Sequence, residues 1–315
     1  MRVGFLILWG VIAASPSGAA IIEENFSGNP ATNGWIVFGQ PGLFHWNSTN
    51  QNVEVIWDSS QSNSYFYHPL GMILTSNDEF SLEFDLQLND AQINGAGFEI
   101  AVGLFNSTDA TRTNFFRGTG HDSPNLFEFD YFPDFGFGPS IDGTLTDVNS
   151  RFRFAYDNLP LDNGPVYHVV LNHASGALFL SGEVFQDDQL YTSLPISYFQ
   201  PPVTNFTDFH LDAFSISSYK DTGSGGSILA HGVLDNILVT VPSPIQNLTG
   251  AFSNGVWFAR FLSRSNWLYT LERTPDFQSW TNILPAVSGN GTNLTLPDFD
   301  PPMDKAFYRV RADRL

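Results

Sequence analysis

Three carboxylates fall within ten residues of one another in the stretch NLFEFDYFPD, at Glu128, Asp130 and Asp134. Carboxylates at this spacing can act as a general acid and base, as hard oxygen ligands for calcium, or as the wet side of a sheet. In an extended strand, successive side chains point to opposite faces. Phe127, Phe129 and Tyr131 then share one face, and Leu126, Glu128, Asp130 and Phe132 share the other. The aromatic face is expected between two sheets, and the acidic face toward solvent or a groove. Glu128 and Asp130 become neighbours, with backbones roughly 6.5–7 Å apart.

Other chemistry-bearing residues are sparse. Trp35, Trp46 and Trp57 lie in the first quarter, followed by Tyr65 and Tyr67. Sugars pack their C–H faces on aromatic rings, so these tryptophans are candidate platforms for polysaccharide, against the competing role of core residues. No Gly-x-Ser-x-Gly elbow, His-Glu-x-x-His run or cysteine pair occurs. His121 and Asp122 read as a turn leading into the acidic strand, and the seven histidines are scattered. Seven Asn-x-Ser/Thr sequons occur, at Asn25, Asn47, Asn106, Asn205, Asn247, Asn290 and Asn293.

The elements that must position these residues read as strands. Phe80, Leu82, Phe84, Leu86 and Leu88 alternate with polar residues, and similar runs recur at 98–105, 166–172, 177–185 and 233–240. The period is two, with Gly, Asn, Asp and Pro at the turns. The expected fold is all-β, a two-sheet jelly-roll sandwich over residues 21–241. The prolines of VPSPIQNLTG mark 242–250 as a linker, leaving 251–315 as a small β module. Residues 221–227 read as a flexible loop. The first twenty residues combine Arg2, an apolar run of about a dozen residues and a small-residue ending, as a cleaved signal peptide does. That run is too short to span a bilayer comfortably, and no later stretch is long enough.

Composition narrows the partners. The net charge is −19, while residues 247–315 hold seven Lys/Arg and six Asp/Glu, a balance of +1 that leaves −20 for the rest. Such a charge repels phosphate backbones and argues against nucleic acid as a partner. It suits calcium or neutral glycans. The chain has no cysteine and 30 phenylalanines, so a secreted form must rest on a large aromatic core.

The Glu-x-Asp alternation on a jelly-roll strand resembles the concanavalin A-like lectin and glucanase superfamily. The laminarinase/lichenase branch implies Glu128 as nucleophile, with an acid/base two or three residues beyond Asp130. Phe132 and Pro133 stand there instead. Asp134 is one residue too far: six residues of strand span roughly 20 Å, against the 5–5.5 Å or so that a retaining pair needs. The legume-lectin branch implies metal ligands at Glu128, Asp130 and Asp134, while its later Asp and His places fall on Pro139 and Thr144, with Asp142 near. The borders IIEENFSG and LDNILVT are similar to those of jelly-roll carbohydrate-binding modules, which implies a structural calcium shared by Glu23 or Glu24 and Asp235. The tail YTLERTPDFQSW…FYRVRA resembles the small β module that ends many secreted proteins of environmental bacteria, carried by Tyr269, Leu271, Glu272, Trp280, Phe307, Tyr308, Arg309 and Val310.

The resulting expectation is a secreted or cell-surface protein, extracellular or periplasmic, that binds glycan without catalysis. Trp35, Trp46, Trp57, Glu128 and Asp130 are its expected contacts, with calcium as the expected cofactor. A glycoside hydrolase using Glu128, and a purely structural envelope or matrix protein, are the alternatives.

Overall fold

In the computed structural model, residues 19–95, 99–113, 115, 123–134, 136, 138–194, 205–219, 226–265 and 267–314 are described. Residues 1–18, His121, Asp122 and 221–225 lie outside them, so the signal-peptide reading, the His121 turn and most of the 221–227 loop are not addressed. The chain divides into two compact units that meet in sequence at Val241/Pro242.

The larger unit contains fifteen described strands. They are β1 Ala19–Glu24, β2 Ile36–Phe38, β3 Phe44–Asn47, β4 Asn52–Asp58, β5 Ser64–Leu74, β6 Phe80–Asn94, β7 Ile100–Phe105 and β8 Leu126–Phe132. Then follow β9 Ser140–Thr146, β10 Phe152–Asp157, β11 Val166–His173, β12 Ser181–Gln186, β13 Gln189–Leu194, β14 Leu211–Ser218 and β15 Ser227–Val241. One sheet has the order β13-β12-β11-β6-β15-β4-β3, with β1 also on β15. The other runs β10-β9-β8-β7-β14-β5-β2. Consecutive segments pass between the sheets, as in the jelly roll expected from the alternation.

Alternation decides the core. Phe80, Leu82, Phe84, Leu86 and Leu88 on β6 face Phe127, Phe129 and Tyr131 on β8, and all are buried in one cluster. Phe80–Phe127 and Phe84–Phe129 meet edge to face, with centroids 4.9 and 5.8 Å apart. The two sheets differ on their other faces. The first keeps the half-buried pattern, as in β4 and β6. In the second, β7, β8 and β9 are buried on both faces.

The smaller unit begins before the expected boundary. Residues 245–250, placed in the linker by the prolines, belong to β16 Ile245–Ser253. It joins β17 Val256–Ser263 and β21 Asn293–Asp298 in a three-stranded sheet. Pro242 and Pro244 do end the previous strand. Beyond them, Ile245 and Leu248 still pack on the module's core. A bulge between Gln246 and Thr249, with Asn247 at φ 55°, breaks the alternation that would have revealed the strand. In a second sheet β18 Trp267–Thr274 pairs along its length with β22 Phe307–Arg314, and with β20 Val287–Ser288 and β19 Thr281–Asn282 toward its two ends. Trp257 and Tyr308 stack at 3.7 Å in its core. No helix among the described residues is long and apolar enough to cross a membrane.

Candidate functional site

The acidic face of β8 is the outer face of the seven-stranded sheet. The ladder sets Asp130 opposite Asp142 of β9 and Glu128 opposite Thr144. On the other side Glu128 pairs with Gly103 and Asp130 with Ala101 of β7. One row therefore reads Tyr156, Asp142, Asp130, Ala101, Ser217, Tyr65, and the next reads Phe154, Thr144, Glu128, Gly103, Ser215, Tyr67. Three carboxylates sit on two adjacent strands, flanked by small residues on one side and aromatic rings at both ends.

These carboxylates are not solvated. Glu128 is 1% exposed, Asp130 3% and Asp142 6%. This corrects the expectation of a wet acidic face. The cause lies partly in β7: a Cβ on Gly103 would stand 2.6 Å from Glu128 Cγ, so glycine lets the Glu128 side chain lie down over its neighbour. Ser140 donates a short hydrogen bond to Asp142 Oδ1. Asp134 does not join the group. The strand ends at Phe132, and Asp134 accepts from Gly136 N at 2.7 Å, capping the turn after Pro133.

The β10 edge supplies what the tryptophans do not. Phe152, Phe154 and Tyr156 stand in file on the outer face, with ring centroids 5.8 and 6.0 Å apart. Tyr156 is exposed and the two phenylalanines are half-buried. Trp35 and Trp57, expected as platforms, are core residues at 5% and 1% exposure. Trp35 stacks on Phe66 at 4.7 Å and donates to Glu24 Oε2 at 3.0 Å. Trp46 packs against the same core and donates to Phe26 O at 3.0 Å. In Trp35 and Trp46 the apolar body finds the core and the N–H finds an acceptor, while Trp57 Nε1 is buried with no hydrogen-bond partner among the described residues.

At the border corner, β1 lies beside β15, as the module borders imply. Glu24 accepts from Phe26 N at 2.7 Å, Trp35 Nε1 at 3.0 Å and Asn33 Nδ2 at 3.4 Å. Those donors satisfy the carboxylate without an ion. Asp235 accepts from Asn236 N at 2.7 Å. Burial pushes its carboxyl above the usual range, and the charges of Asp85 and Glu24 add to this. Calcium wants six to eight oxygens, and no group of three His, Asp or Glu among the described residues could hold a metal.

Sequence reasoning noted Asp142 only as near a metal-ligand place of the lectin pattern, not as the residue opposite Asp130, and missed the β10 file altogether. RFRFAYD shows period-two aromatics plainly, so the file was readable. Asp142 was not, because its register depends on the turn at 133–139.

No family model and no curated protein sequence matches this chain. Among solved structures, a legume lectin-like domain from Entamoeba histolytica is 12% identical over 70% of this chain and 97% of its own, with a TM-score of 0.42. Peanut lectin is 13% identical over 69% and 97%, at 0.39. The alginate lyase Aly36B is 14% identical over 72% and 97%, at 0.36. Likeness of this strength assigns neither a family nor an activity to the chain.

Proposed function

We propose that the protein binds polysaccharide, without cleaving it, along the β10 edge of the seven-stranded sheet. The observation that carries this reading is the file Phe152, Phe154, Tyr156, three rings in register on one face of an edge strand, with Tyr156 exposed. Ring faces take sugar C–H groups. The low charge density of a neutral glycan suits a unit this acidic. The N-terminal leader pattern supports a location outside the cytoplasm, and calcium enters only as one arm of the test. Pull-down of the mature chain on neutral polysaccharides, with calcium or chelator and with reducing-sugar release assayed on every hit, checks the reading. Retention without release is expected. Absence of retention on every polymer would favour a structural role.

The hydrolase reading gains one observation: Asp142 supplies the second carboxylate from another strand that Glu128 lacks on its own. Its obstacle is access, since both groups are buried. Sugar release abolished by Glu128→Gln would establish it.

A further inference from the structure

The smaller unit carries a second surface that the β10 reading does not use. On β22, Tyr308, Val310 and Ala312 pack inward, so Phe307, Arg309 and Arg311 face out. The neighbouring strand sets Glu272 opposite Arg309 and Thr270 opposite Arg311. Glu272, with its side chain only 3% exposed, receives Arg309 Nε at 2.5 Å and Arg311 Nη1 at 3.1 Å. Two guanidinium groups thus share one buried carboxylate. Their own side chains stay 42% and 45% exposed. Asp313 also meets Arg311, at 2.9 Å.

Aromatic rings continue the strip. Arg309 lies over the Trp280 ring at 4.1 Å. Phe277 meets Phe307 at 3.9 Å and Trp280 at 6.4 Å. Phe277 is 56% exposed and sits at φ 63°, a left-handed conformation that bulky residues rarely take. The turn enforces it. Thr274 Oγ1 accepts from Asp276 N and Phe277 N, and Asp276 Oδ1 accepts from Gln278 N and Ser279 N. A phenylalanine held at a turn tip, more than half exposed and packed on Phe307 and Trp280, the latter under the Arg309 guanidinium, is an unusual use of that residue.

We propose that this strip is a binding surface for carboxylate-bearing polysaccharide. Phe277 and Trp280 pack on sugar faces, and Arg309 and Arg311 take the sugar carboxylates. This unit, with seven Lys/Arg against six Asp/Glu, repels an anionic polymer less than the strongly acidic rest of the chain; within the strip Glu272 and Asp313 offset the two arginine charges, and the half-exposed guanidinium groups keep N–H donors for a carboxylate. Guanidinium groups pre-oriented by Glu272 match planar carboxylates better than the point charge of lysine could.

The test uses the full chain in affinity electrophoresis with polygalacturonate and with its methyl ester, which keeps the backbone and removes the charge. The acid form should retard the protein at least tenfold more strongly than the ester, roughly 1.4 kcal/mol or more. Phe277→Asn removes the ring while suiting the left-handed backbone, so it should keep the fold and cost about tenfold in affinity. Arg311→Gln should weaken binding and flatten its salt dependence. Neutral-glycan retention through β10 should survive both changes, which separates this surface from that one. Equal retardation by acid and ester, no retardation at all, or a dimer lost in Phe277→Asn would each overturn the proposal, the last by showing a second copy as the occupant.

Discussion

Asp130 and Asp142 face each other across the β8–β9 ladder, both buried. Directly opposed residues bring their Cβ atoms to about 4.5–5.5 Å, and like charges so placed are destabilising. Glu128 lies one row away on the same face. Asp142→Asn removes one of these charges and should raise the urea midpoint at pH 7, by on the order of 1 kcal/mol, where that repulsion outweighs the hydrogen bond from Ser140 and the other contacts of Asp142. A loss of stability instead would mean that those contacts, or a cation or a guanidinium bridging the two acids, prevail.

Asp147 illustrates the opposite arrangement. Burial alone would raise its pKa, but hydrogen bonds from the amides of Arg151, Thr207 and Asn149 and the Thr207 hydroxyl hold the carboxyl below its usual range. A depressed folded pKa gives stability that is present above the unfolded value and lost as pH falls through the folded one. Asp147→Asn should lose about 2–4 kcal/mol at pH 7. The gap between variant and wild type should close in urea titrations repeated near pH 2–3. A gap independent of pH would show that packing, not charge, is what the substitution removes.

For Asp235 the sign reverses. Its raised carboxyl pKa destabilises the fold increasingly as pH rises above the unfolded value of about 3.9. Asp235→Asn should raise the melting temperature at pH 7 and change it little at pH 3. Calcium should not move the wild-type melting temperature through this residue. A calcium-dependent rise that Asp235→Asn abolishes would place an ion at the corner after all.

The tryptophans and the β10 file separate stability from binding. Trp35→Ala and Trp57→Ala empty core positions and should cost about 3–5 kcal/mol each. Tyr156→Ala, at an exposed edge, should stay within about 0.5 kcal/mol of wild type. Chemical denaturation of the three variants checks this directly, and a stable Trp57→Ala would remove that ring from the core.

Much of the architecture was readable from alternation. Phe80 to Leu88 and Phe127 to Tyr131 name their own buried faces, because a side chain's face in a strand is fixed by its parity. What lies beside them was not readable. The burial of Glu128 depends on Gly103, 25 positions away and brought alongside only by the sheet. Asp142 meets Asp130 through a register set by the 133–139 turn. The motif of the tail fared differently: Glu272, Trp280 and Arg309 are in mutual contact around one Arg309 guanidinium, so their co-occurrence in sequence had a local cause. Residues 245–250 hid as a linker because one bulge at Asn247 is enough to spoil a period of two.

The central claim is that the file of rings on β10 binds glycan. The most direct measurement is isothermal titration of the full chain, and of its Phe154→Ala/Tyr156→Ala variant, with whichever neutral polysaccharide the pull-down retains. The account predicts binding by wild type, a loss of about tenfold or more in the variant, and no release of reducing sugar. Unchanged affinity in the variant would contradict it.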